Sequence, residues 1–330
     1  MRVATAEVTE GRLLVVGELC VDLIIDVDGE LRFGQHEQLV RATTLTMGSS
    51  SAITACGAAA LGIPTALLSV RGDDAFGRFL DEELGRRGVA TEHVRVDASL
   101  PTGASTHLTR PDGDRAILTS MGSIGTVAAE EVTDELLAGV GHLHVGSYFL
   151  QHALHPGAAE LFARTRELGL STSVDGNFDP AEEWDSGILA LLAHCDVYFG
   201  NAEELCGITG LNGFDDAVEA VLDVMPVGGV VVGKLGAEGA VAARRRDGAT
   251  ERIVASTPSI DGPLVDTVGA GDTLAAGFLA ARLGSLPPER ALALAVACGT
   301  ASTRGAGGVG AQPDLAAASA LAERVAVTRP

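Results

Sequence analysis

Lysine is almost missing from this chain: Lys234 is the only one, and basic residues number 23 against 44 acidic ones. The formal net charge of −21 would repel a nucleic acid or an anionic bilayer at long range, so neither is expected as a partner. A small-molecule ligand fits better, and an anionic one would need a local positive field. Cysteine chemistry is also absent. Cys20, Cys56, Cys195, Cys206 and Cys298 are odd in number and scattered, with no C-x-x-C pair, so neither a disulfide framework nor a zinc site is indicated, which suggests a reducing cytosol. The start "MRVATAEVTEGR" has no apolar h-region, and no apolar run approaches a membrane span. A cytoplasmic protein without membrane attachment is expected. Internal repeats and low-complexity linkers are lacking too.

What is present is a large potential core, 46% hydrophobic over 330 residues, distributed as alternating strand and helix signals. "RLLVVG", "TALLSV", "HLHVGSY", "LSTSVDG", "DVYFGN" and "GVVVGK" read as strands. "SSAITACGAAALG", "AFGRFLDEELGRRG", "HPGAAELFARTRELG" and "FDDAVEAVLDVM" read as helices, with a further terminal helix from Leu315. Such alternation implies crossover connections and a mainly parallel sheet covered on both faces. Length alone suggests about two domains, but the recurring strand–helix alternation favours one α/β domain over residues 1–330.

Two segments, about 19–46 and 101–121, break the rhythm with extended stretches and no helix. They predict a small antiparallel sheet, a candidate lid. Within it "RPDGDR" reads as a hairpin tip, since Asp-Gly supplies positive φ.

"VDTVGAGDTLAAGFLA", Val265 to Ala280, carries the sharpest chemistry. In a parallel α/β sheet, ligands settle beyond the carboxyl ends of strands, where helices begin. Gly269 and Gly271 let main-chain N–H groups converge, and a helix from Thr273 adds its dipole, which together favour an anion. Asp272 would repel a bound phosphate unless it accepts a proton from the group attacking that phosphate. The competing reading makes Asp272 a helix cap.

These residues resemble the C-terminal D-T-x-G-A-G-D motif of ribokinase-like (PfkB) carbohydrate and nucleoside kinases. The resemblance extends over nearly the whole chain through "VVGELCVDLI", "GSSSAITACGAAALG", "VRGDDAFGRFL", "PTGAS", "VDGNFDPAEEW", "NAEE" and "VVVGKLGAEGA". It implies a three-layer α/β/α fold with a β-sheet lid. It also implies an ATP-dependent kinase acting on a hydroxymethyl group of a sugar, with Asp272 as catalytic base and the Gly269, Ala270 and Gly271 amides as anion hole. Asn201 and Glu204, the N-x-x-E of the family, would hold Mg2+ through water. Asp22, Gly48, Ser49 and Asn177 would meet the substrate, and Lys234 and Gly236 the nucleotide. Asp266 would help hold K+, completed by carbonyls near Ser302 to Gly310. Arg110 and Arg115 could meet an anionic substrate or be solvated, and relatives often dimerise through their lids.

The chain departs from the pattern in three places. Ser49 replaces the second glycine of the substrate motif, and Ile53 stands where an asparagine is usual, removing an amide donor and acceptor. Asp179 stands where several relatives have arginine. Serines 49 to 51 could replace lost substrate bonds or cap the next helix, and the apolar Ile53 keeps a nucleoside kinase as the alternative. A non-catalytic sugar sensor is a further rival. "GGVVVGKL" starts like a Walker A loop, but Leu235 replaces its Ser/Thr and the valines read as strand. "GAGGVG" from Gly305 lacks the preceding strand of a dinucleotide site. His142 and His144 share a strand face without a third metal ligand.

Overall fold

Apolar runs bounded by glycine and polar residues become strands here because both faces of the sheet are covered, leaving no room for polar alternation. The computed structural model describes residues 11–111 and 114–330; the expected hairpin tip at Asp112 and Gly113 and most of the segment "MRVATAEVTEGR" lie outside them. The strands are β1 (Arg12–Val16), β2 (Cys20–Asp26), β3 (Ala42–Met47), β4 (Thr65–Arg71), β5 (Val94–Val96), β6 (Gly103–Thr109) and β7 (Arg115–Ser120), followed by β8 (Val140–Val145), β9 (Ser171–Asp175), β10 (Val197–Asn201), β11 (Val230–Lys234), β12 (Gly239–Arg246), β13 (Ala249–Ser256) and β14 (Ala326–Thr328). The helices are α1 (Ser50–Ala60), α2 (Ala75–Arg86), α3 (Asp134–Leu137), α4 (Ala158–Glu167), α5 (Ile188–Leu192), α6 (Ala202–Thr209), α7 (Phe214–Val224), α8 (Ala270–Leu283), α9 (Pro288–Ser302) and α10 (Leu315–Ala322).

The large sheet runs β14-β13-β12-β11-β10-β9-β8-β1-β4-β5. It is parallel from β11 to β5 and antiparallel from β11 to β14. All six expected strands are present. The antiparallel edge was not foreseen, and the terminal helix α10 is followed by one more strand, β14. Side chains of β1 show why the architecture has three layers: Leu13 and Val15 join one apolar cluster with α1, α8 and α9, while Leu14 and Val16 join another with α4, α5 and α7. Strand periodicity of two thus feeds two cores from one strand.

The smaller sheet has the order β3-β2-β6-β7 and occupies the two segments expected to form a lid. It is not wholly antiparallel, because β2 and β6 pair in parallel. The chain between them contains α1, β4, α2 and β5, a connection long enough for a parallel return. Its exposed apolar side chains include Leu45, Ile117 and Leu118. Among the described residues no helix is long and apolar enough to cross a membrane.

Candidate active site

The carboxyl ends of β1, β9, β10 and β11 bring Glu18, Asp175, Asn201 and Lys234 toward one edge of the sheet, where α8 begins. That helix starts at Ala270, three residues earlier than expected, with Gly269 as its N-cap at φ 71°. Only glycine adopts this conformation without strain, and a Cβ at Gly269 would lie 2.6 Å from Gly308 Cα. Ala270, Gly271 and Asp272 therefore form the first turn, where main-chain N–H groups lack intrahelical partners. Asp272 is not the cap, and no side-chain cap bond is made at this terminus. Its carboxylate turns to α1, where Ser50 Oγ donates to Oδ1 at 2.5 Å, and Thr54 Oγ1 donates to its main-chain oxygen at 3.2 Å.

Burial pushes the partly accessible Asp272 carboxyl up, and the negative charges of Asp175 and Glu18 add to this; the Ser50 bond and Lys234 oppose it. The net result is a carboxyl raised to about 7, poised for proton transfer near neutral pH.

Lys234 Nζ lies 3.0 Å from both oxygens of the buried Asp175 and 3.4 Å from Glu204 Oε2. Burial works against its charge, but Asp175, Glu204 and Asp272 outweigh that and hold the ammonium well above its usual range. The stem of this lysine runs beside the helix start, since a Cβ at Gly271 would sit 3.2 Å from Lys234 Cδ. The only lysine is thus a largely enclosed counter-ion placed next to the amide cluster, and the valines before it are strand, as expected.

Asn201 and Glu204 close a reciprocal cap at the start of α6. Asn201 N donates to Glu204 Oε2 at 2.8 Å, Asn201 Nδ2 to Oε1 at 2.9 Å, and Glu204 N to Asn201 Oδ1 at 2.9 Å. Burial pushes the Glu204 carboxyl up, with Lys234 pulling it back. Both oxygens are already engaged, and among the described residues no group of three or more His, Cys, Asp or Glu could hold a metal directly. A cation that keeps its waters fits this donor set, whereas a fully protein-ligated ion does not.

Gly48 lies against Asp22, a buried residue of β2; a Cβ there would fall 2.1 Å from Asp22 Oδ1. Asp22 is also 3.4 Å from His107 Nε2 on β6. Ser49 takes φ 74°, a left-handed backbone conformation that favours glycine. Its Oγ donates to Glu18 O at 2.5 Å and accepts from Ala52 N at 3.0 Å, so it serves as a helix cap. Ser51 Oγ and Gln151 Nε2 bind the Glu18 carboxylate at 2.6 and 2.9 Å. Asn177 at φ 53° donates from Nδ2 to Ser147 Oγ at 2.8 Å.

Other expected residues serve the framework. Asp266 ties two loops, accepting from Val268 N and Gly307 N at 3.0 Å each, with Arg115 Nη1 3.6 Å away. Arg115 therefore faces a protein carboxylate, and Arg110 pairs with Asp114. Gly236, at φ 59°, makes the turn between β11 and β12. Asp179 holds its own loop by accepting from the N–H groups of Ala181, Glu183 and Trp184. Ile53 is buried beneath the Gly269 turn, close to Gly308. His142 and His144 share the hydroxyl of Ser173. Sequence reasoning missed Glu18, Asp175 and His107; for Asp175 the available signal was a carboxylate at the end of a central strand.

The family model of the pfkB carbohydrate kinases matches residues 11–315. The chain belongs to this family. As a pfkB kinase it is an ATP-dependent phosphotransferase with a sugar acceptor. It is 32% identical to an ATP-dependent ribose-1-phosphate kinase of Halopiger xanaduensis, over 95% of this chain and 99% of that one. Among solved structures, Arabidopsis thaliana ribokinase complexed with ribose and ATP superposes with TM-score 0.79 at 23% identity, covering 95% of this pfkB kinase and 99% of the other chain. Adenosine kinase of Sinorhizobium meliloti gives TM-score 0.77 at 21% identity, with 95% and 99% covered. The ribokinase fold expected from the sequence is therefore the fold observed.

Proposed function

We propose that this kinase transfers the γ-phosphoryl group of ATP to a hydroxymethyl group of a sugar, with Asp272 as general base. The observation that carries the reading is the Asp272 carboxyl, raised to about 7 and projecting from the first turn of α8, a terminus whose main-chain amides receive no side-chain cap. The acceptor hydroxyl donates its proton to Asp272 as its oxygen bonds to the γ-phosphorus. The bond from that phosphorus to the β–γ bridging oxygen breaks, and ADP leaves. Amides of Gly269, Ala270 and Gly271, with the adjacent Lys234 ammonium, receive charge on the phosphoryl oxygens. Positioning and electrostatics supply most of the acceleration in such a transfer.

Asn201 and Glu204 would hold hydrated Mg2+, whose contribution is charge neutralisation on the nucleotide phosphates. Asp22, Gly48, Ser49 and Asn177 would border the acceptor, Ser49 chiefly by shaping the turn, and Gly236 would border the nucleotide. The lid sheet would close over the acceptor and exclude water, within one functional domain. Its exposed Leu45, Ile117 and Leu118 would pair two copies, which sedimentation tests. For K+ at Asp266, the ion would compete with Arg115, and rates in KCl against N-methylglucamine chloride decide the matter.

Asp272→Asn should lower kcat by roughly 10²–10⁴-fold while leaving ATP affinity intact. Wild-type turnover in that variant would refute the base assignment. ADP release from ribose, ribose 1-phosphate, fructose and adenosine would identify the acceptor, and a preference for adenosine would favour a nucleoside kinase instead.

A further inference from the structure

Helix α1 grips Asp272 at two points one turn apart. Ser50 Oγ reaches carboxylate Oδ1 at 2.5 Å and Thr54 Oγ1 reaches the main-chain oxygen at 3.2 Å. Ser50 is itself fixed, being buried between Ser49, which caps the helix, and Ser51, which binds Glu18. Among the described residues no donor reaches Asp272 Oδ2. One carboxylate oxygen is therefore occupied by a rigid hydroxyl and the other is left for a ligand.

We propose that Ser50 is a positioning residue for phosphoryl transfer, holding Asp272 by Oδ1 so that Oδ2 is presented to the acceptor hydroxyl. This rests on Asp272 being the base. A carboxylate bound through one oxygen loses its freedom to rotate, and misplacement of a reacting group by about 1 Å can cost on the order of 100-fold in rate. The same bond counts among the influences on the proton affinity of Asp272. Asp175 on β9 and Glu18 after β1 raise that affinity, whereas Lys234 on β11 and Ser50 on α1 lower it. Removing the hydroxyl should both loosen the carboxylate and shift its titration to higher pH.

The test compares Ser50→Ala, Ser50→Thr and Ser50→Val in the full chain, using whichever acceptor in the sugar and nucleoside panel releases most ADP. For Ser50→Ala the expected results are a kcat lowered about 10–100-fold, an unchanged KM for ATP, and a rising limb of the pH–rate profile moved upward. Thr and Val have nearly the same shape, so this pair separates the hydroxyl from packing if the alanine variant folds poorly. The threonine variant should keep the wild-type pH limb and the valine variant should not. Equal kcat and equal pH profiles for Thr and Val, or a wild-type profile for Ser50→Ala, would overturn the proposal. Asp272→Asn run in parallel distinguishes the two failures: if it is inactive while Ser50→Ala is normal, only the role of Ser50 falls.

Discussion

Asparagine at position 272 should stabilise the protein as well as stop its chemistry, because burial makes the folded state a poor host for the wild-type charge. The carboxyl ionises near its ordinary 3.8 in the unfolded chain but only at about 7 in the fold. A group with a raised folded pKa favours the folded state fully below the unfolded value and loses that contribution as pH rises through the folded value. The wild type therefore pays an increasing penalty between about pH 4 and 7 that asparagine avoids. At about 1.4 kcal/mol per pH unit, the shift sets a ceiling of about 4 kcal/mol. Partial solvent access to Asp272 screens this, leaving roughly 1–3 kcal/mol. Asparagine keeps the shape and can still accept from Ser50, so no compensating loss is expected. Urea denaturation of both proteins at a series of pH values should show little difference near about pH 4 and a gap that widens to a plateau above about pH 7, at constant m. A pH-independent difference, or a variant less stable than wild type under mildly alkaline conditions, would refute the assignment of a strained carboxylate. Stability gained on removing a functional group is the expected signature of an active site.

Lys234→Met should cost about 3–5 kcal/mol, because the nearly inaccessible Asp175 loses its counter-ion, and should move the rising limb of the pH–rate profile upward, since Lys234 helps keep Asp272 ionised; an unchanged urea midpoint would contradict this. Ser49→Gly should alter the urea midpoint little, trading a cap for relief of positive φ, whereas Ser49→Ala keeps the strain, loses both hydroxyl bonds and should cost about 1–2 kcal/mol.

Much of the framework was legible because strand signals are local. The Val/Leu runs of β1, β4, β8, β9, β10 and β11 stand out against Gly-bounded, helix-period segments such as α2 and α7. The edge strands β12 and β13 escaped notice because their paired residues include Arg244, Arg245, Arg246, Thr250 and Glu251, which look like a solvated loop until ladder pairing makes them a strand. The same holds for β14, only three residues long. The parallel pairing of β2 with β6 depends on how an intervening βα excursion returns, and no local pattern in either strand reports it. Asp272, Asn201 and Glu204 were found through short motifs. Ser50, by contrast, was one of three similar serines, and its bond to Asp272 spans 222 residues.

The sequence by itself determined the alternation of strands and helices, the glycine turn before α8, and the presence of one lysine among many acids, because periodicity, backbone freedom and charge count are properties of the chain. Only the tertiary structure decided which acids share that lysine, which serine holds the base, and that Ile53 faces the core. Electrostatic and hydrogen-bonding energies depend on distance and burial in space, and residues far apart along the chain acquire both only when the sheet brings its strand ends together.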